Sequence, residues 1–120
     1  MENIGATPLV NSSGNVANAP AVATLAGDPG KTAHLSGFQV NGTGATATSI
    51  VLVTVTGLLG GTLTFPFVVV AGVLLPNLAM NMQFNVGLPA SDVDTDIVVT
   101  CPALGAGNTN NVVNAQGFQL

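Results

Sequence analysis

Ionisable side chains are what this sequence has least of. Only Glu2, Asp28, Lys31, Asp92, Asp94 and Asp96 carry formal charge, 5% of 120 residues, against roughly 25% in an ordinary soluble domain. From Thr32 to Ser91 there is none, apart from whatever fraction of His34 is protonated. With Lys31 as the one fixed cation, phosphate would repel the chain. With no Trp or Tyr, the aromatic platforms that stack on bases are missing too, so nucleic acid is excluded as a partner. The single cysteine cannot form an internal disulfide, so the fold does not depend on an oxidising compartment. A lone monomer usually needs a more charged exterior to stay dispersed. Much of this surface is therefore expected to face other protein.

Hydrophobic residues make up 48% of the chain, and residues 50–76 contain no charge at all. A membrane span needs about 20 apolar residues in helix-compatible order. Gly57, Gly60, Gly61, Pro66 and Gly72 interrupt this run, and residues 51–56 alternate Val-Leu-Val-Thr-Val-Thr. Alternation of β-branched side chains is the pattern of a half-buried strand, so no membrane helix is expected. The start at Met1-Glu2-Asn3 has neither the basic nor the apolar region of a secretory signal.

Residues 1–31 mix Ala, Gly, Asn, Pro and Ser with short apolar pieces and show no sustained period. The segment reads as an extended arm, closed by the Asp28-Pro29-Gly30 turn and ordered where it lies on a neighbour. Fully extended, about 30 residues reach ~100 Å, enough to staple the domain to an adjoining subunit.

Residues 32–120 read as strands between glycine-rich turns: 34–40, 45–56, 62–70, a segment around 80–86, 95–101 and 112–120. Asn41-Gly42 predicts a tight turn after the first. Val51, Val53 and Val55 share one face, as do Leu63, Phe65, Phe67 and Val69. Pro66 points the other way and marks an edge or a bulge. Beyond a corner at Pro76-Asn77, Met80, Met82, Phe84 and Val86 alternate with Asn81, Gln83 and Asn85, giving an amide-rich outer row. No segment has helical periodicity. The fold class is all-β: an antiparallel β-sandwich or jelly-roll-like barrel, residues 32–120, with the N-terminal arm.

Chemistry-bearing residues are few. Asp92, Asp94 and Asp96 alternate, which in an extended segment puts three carboxylates on one face, a weak candidate for Ca²⁺. Ile97 stands where the calcium-loop motif has glycine, and no bidentate Glu follows. A solvated turn is the plainer reading, and no cofactor is expected. Cys101, alternating with Ile97 and Val99, reads as a small buried apolar residue. His34 reads as a hydrogen-bonding surface residue. There is no Gly-x-Ser-x-Gly elbow and no phosphate-binding loop, so no enzyme is expected.

The stretch HLSGFQVNGTGATATSIVLVTVTGLLGGTLTF (34–65), with IVVTCPALGAGNTNNVVNAQGFQL (97–120), resembles small virion proteins of tailed bacteriophages. The resemblance implies a capsid decoration, or cement, protein on the virion surface, made in the host cytoplasm. It further implies a homo-oligomer, a trimer, that binds the major capsid protein. A tail-fibre or receptor-adhesion module is the alternative, with loop 105–110 offered to a glycan. The residues expected to meet partners are Leu9, Val10, Val22 and Leu25 in the arm, Leu58 and Leu59 in the turn at 57–61, and Asn81, Gln83 and Asn85. The apolar loop 73–75 belongs with them.

Overall fold

The computed structural model describes residues 6–72 and 80–120. The expected loop at 73–75 and corner at Pro76-Asn77 lie outside the described residues. Eight strands follow in chain order: β1 (Thr7–Ser12), β2 (Ala21–Leu25), β3 (Ala33–Thr43), β4 (Ser49–Thr56), β5 (Leu63–Val69), β6 (Met80–Pro89), β7 (Ile97–Cys101) and β8 (Asn110–Gln119). They form two antiparallel four-stranded sheets, ordered β1-β8-β3-β6 and β2-β7-β4-β5.

That order is a nested one. The first strand pairs with the last, the second with the seventh, the third with the sixth and the fourth with the fifth, and the β8–β3 and β7–β4 contacts join these pairs into sheets. A long antiparallel hairpin rolled up in this way gives a β-sandwich with jelly-roll connectivity; the turn spacing alone leaves sandwich and jelly-roll-like barrel open. The core between the sheets is built from alternate strand positions, with one extra residue in β3 at the bulge between Leu35 and Gly37: Leu35, Phe38 and Val40 of β3 face Val53 and Val55 of β4 and Ile97, Val99 and Cys101 of β7, all fully buried. Phe38 packs at a tilt against Phe65 and Phe84, with ring centroids 5.4 and 6.4 Å away, within the range over which aromatic pairs attract.

Residues 7–25 of the expected arm do not behave as one. β1 pairs along its whole length with β8, from Thr7↔Gln119 to Ser12↔Asn114. β2 pairs with β7 from Ala21↔Cys101 to Leu25↔Ile97, and Ala21, Ala23 and Leu25 are core residues. The reason lies in side-chain size. β2 turns Ala21 and Ala23 inward, and β8 turns Ala115 inward with Gly117 beside it. Leu25 lies close enough to Gly117 that a β-carbon there would stand 3.1 Å from its Cδ1. Small residues allow the two sheets to approach at this side, where the Thr24 N–H donates to Asn11 Oδ1 (2.9 Å) and joins β2 to β1.

Two further expectations shift. Asn41 and Gly42 stay within β3, and the chain turns at Gly44, whose φ is +95°. Gly42 is glycine for another reason: a β-carbon there would collide with the Leu104 side chain and the Asn110 carbonyl. The alternation of β6 also slips. Between Leu35↔Leu88 and Gly37↔Gln83, β3 advances two residues while β6 advances five. This wide bulge turns Val86 outward, against the expected face. Pro66 sits on β5, one of the two edge strands of its sheet among the described residues, where a missing N–H is tolerated.

Candidate interaction surfaces

None of the eight strands contains Asp, Glu, Lys or Arg. The described charges lie in two loops, Asp28 and Lys31 between β2 and β3, and Asp92, Asp94 and Asp96 between β6 and β7. Those loops share one end of a body measuring 45 × 24 × 22 Å. There the Asp94 N–H donates to the Lys31 carbonyl (3.0 Å), and the Gly27 N–H donates to Asp96 Oδ1 (2.8 Å). The turn between β4 and β5 meets them, with the Ser91 N–H on the Gly57 carbonyl (2.8 Å). The other end is formed by the uncharged loops at 44–48 and 102–109, tied by the Thr46 N–H to the Ala106 carbonyl (2.9 Å) and by Asn108, whose Nδ2 donates to the Thr43 and Asn110 carbonyls. Among the described residues charge is thus segregated to one pole, and both sheet faces are neutral.

The two faces differ in chemistry. On the β1-β8-β3-β6 sheet the outer surface is rich in amides. Gln39 Nε2 and Gln83 Nε2 both donate to Asn81 Oδ1, at 3.2 and 2.9 Å, and Gln39 stands opposite Asn114 in the neighbouring strand. On the β2-β7-β4-β5 sheet the outer surface is apolar and hydroxylic. Cross-strand pairs run Ile50↔Val68, Leu52↔Pro66 and Thr54↔Thr64, and Thr54 continues to Thr100 of β7. Ile50 is 66% exposed, and Leu52 and Val68 are each 51% exposed.

The expected partner-binding residues divide between outside and inside. Val10, Val22 and Leu59 are exposed, and Asn81, Gln83 and Asn85 form the expected outer amide row on β6. Leu25 is a core residue and Leu58 is buried where its backbone bridges to Ala90, so neither is available to a partner. Leu9 is half-buried against the core. The reading missed the apolar stripe of Ile50, Leu52 and Val68. Its signal was present, because positions 50 and 52 are large and apolar on the face opposite Val51, Val53 and Val55.

The aspartate run is not gathered into a site. Residues 91–94 bend instead of running extended, and Asp94 has a positive φ of 55°, so the alternate carboxylates lose their common face. Among the described residues, no group of three His, Cys, Asp or Glu side chains converges to hold an ion. Cys101 is buried, and burial pushes its thiol up to about 11. His34 stacks on Phe118, centroids 4.7 Å apart and planes 7° from parallel, with Nδ1 3.1 Å from the Thr32 carbonyl oxygen. The pair lines a cleft of about 620 Å³ with Ser36, Phe84, Asn85 and Gly87 beside the β6 bulge. Gly87 is needed there, since a β-carbon would lie 2.8 Å from the Phe118 ring.

Comparison with known proteins finds no matching family model, no matching curated protein and no matching solved structure.

Proposed function

We propose that the chain is a structural, non-enzymatic virion protein, a decoration (cement) protein of a tailed-bacteriophage head. In this reading it works as a homo-oligomer, a trimer if it follows the proteins it resembles, and spans boundaries between major capsid protein subunits. The observation that carries the reading is the confinement of charge, among the described residues, to one pole. Two broad faces without a carboxylate or an ammonium can be buried against protein without desolvating a charge. The amide row of Gln39, Asn81 and Gln83 exchanges hydrogen bonds with water for hydrogen bonds with a neighbour, and the apolar stripe adds buried area. Jelly rolls serve as capsid and lectin domains alike, so the fold supports the reading by analogy only. Stapling by an N-terminal arm forms no part of it, because β1 and β2 belong to the sheets.

The test is to mix purified protein with empty heads stripped of it and to sediment them. Saturable co-sedimentation is the expected result, lost when Gln39, Asn81 and Gln83 are replaced together by Lys. Protein that stays in the supernatant at every concentration refutes the reading. A tail adhesion module is the second reading, favoured by the cleft beside His34 and Phe118, where ring faces and the Ser36 and Asn85 polar groups meet. Labelling the protein in the particle separates the two by position on head or tail.

A further inference from the structure

Building on the oligomeric decoration reading, we infer that the apolar half of the β2-β7-β4-β5 outer face, centred on Leu52 and Pro66, packs against the same patch of a sister copy about a two-fold axis, a contact separate from any that closes a trimer. Four contiguous side chains make the patch, Ile50 and Leu52 on β4 facing Val68 and Pro66 on β5, all exposed. A monomer scatters such residues; a contiguous group on a flat sheet marks a contact surface.

Several observations select a second copy as the occupant. A patch meeting its own image sets each residue near its like, which is tolerable only without charge, and this patch has none. β4 runs from Ser49 at the uncharged end to Thr56 at the acidic end. The patch occupies the uncharged half, so copies joined there bring no carboxylates together across the contact. Toward the acidic end the face changes to Thr54, Thr64 and Thr100, giving an apolar centre with a hydroxyl rim. Strand addition along the adjoining β5 edge is the competing mode at this patch, and Pro66 in the middle of β5 interrupts the row of backbone donors that it needs.

The area limits the strength of the contact. The whole outer face spans seven paired residues on β4 and β5 and five on β2 and β7, which at about 3.3 Å per residue and about 4.8 Å per strand is a footprint of roughly 380 Å². Two copies using all of it bury about 760 Å², short of the ~1,000 Å² at which specific interfaces begin. Free protein should therefore associate weakly, and an array of bound copies should reinforce the contact through effective concentration.

Sedimentation equilibrium of the intact chain over a hundredfold range of concentration tests this. The weight-average mass should rise from one chain's 11.8 kDa toward a multiple of it, and rise further in ammonium sulfate. Leu52→Lys should weaken association at least about tenfold, with an unchanged far-ultraviolet spectrum. Val68→Thr, nearly isosteric, serves as a milder second variant and should weaken it in the same direction. Thr7→Ala, exposed on the other sheet, should leave it intact. A single-chain mass throughout, or association untouched by both patch variants, overturns the inference. Chains that remain single yet bind empty heads overturn it while sparing the decoration reading. Chains that associate through Leu52 but ignore heads do the opposite.

Discussion

Truncating Leu25 to alanine distinguishes a strand from an arm. Leu25 is 1% exposed, stands opposite Ile97 in the sheet and reaches toward Gly117 in the other sheet. Removing a buried leucine side chain costs about 2–5 kcal/mol, including the cavity it leaves. Were residues 1–31 an external arm, the same change would fall within about ±0.5 kcal/mol. Taking a cost of about 3 kcal/mol and a urea m-value of about 1.5–2 kcal/mol/M, the unfolding midpoint should drop by about 1.5–2 M. The melting temperature should drop by about 10 °C. Because the chain lacks Trp and Tyr, the transition is best followed by far-ultraviolet circular dichroism. Val10→Ala, in the same segment but 80% exposed, is the internal control and should move the midpoint by less than about 0.3 M. Equal shifts for the two variants would refute the placement of β2 in the core.

Other consequences are open to measurement. Gly57→Ala should cost more than Gly60→Ala by about 1–3 kcal/mol in urea unfolding: both glycines have positive φ, but a β-carbon at Gly57 also collides with the Asp96 carbonyl. The Cys101 thiol, held up at about 11 in the folded chain against an ordinary value of 9.0, stabilises the fold fully below pH 9 and loses that contribution as pH rises toward 11. Unfolding free energy should fall over that window and flatten in Cys101→Ala. An aromatic disulfide reagent at pH 8 should label the thiol only after urea is added. Millimolar Ca²⁺ should leave the melting temperature unchanged, because the Asp96 carboxylate is already engaged by Gly27 and the run does not converge.

The strands from 33 onward were legible because their inner positions are large and alternate with Thr, Asn or Gln, as in Val51 to Thr56. Pro66 limited its strand to an edge or a bulge, and β5 lies at an edge. β2 was illegible for the opposite reason. Ala21 and Ala23 look like loop composition until the facing Ala115 and Gly117 are known, and that pairing spans more than 90 residues of chain. Gly42 misled through a related ambiguity, since a glycine serving close approach of Leu104 is indistinguishable in sequence from one serving a turn. The Ile50–Leu52–Val68 stripe lay within a run so uniformly apolar that inner and outer faces were hard to tell apart. Pairing with β5 and β7 resolves them.

The position of β8 between β1 and β3 bears on how the molecule comes into being. Of the eight strands it is the last to emerge from the ribosome, yet it occupies the interior of its sheet. Until it arrives, β1 has no backbone partner and β3 has one side open. Synthesis should therefore yield a waiting chain, with Phe38 and Val40 incompletely covered, that closes only after translation has passed residue 119.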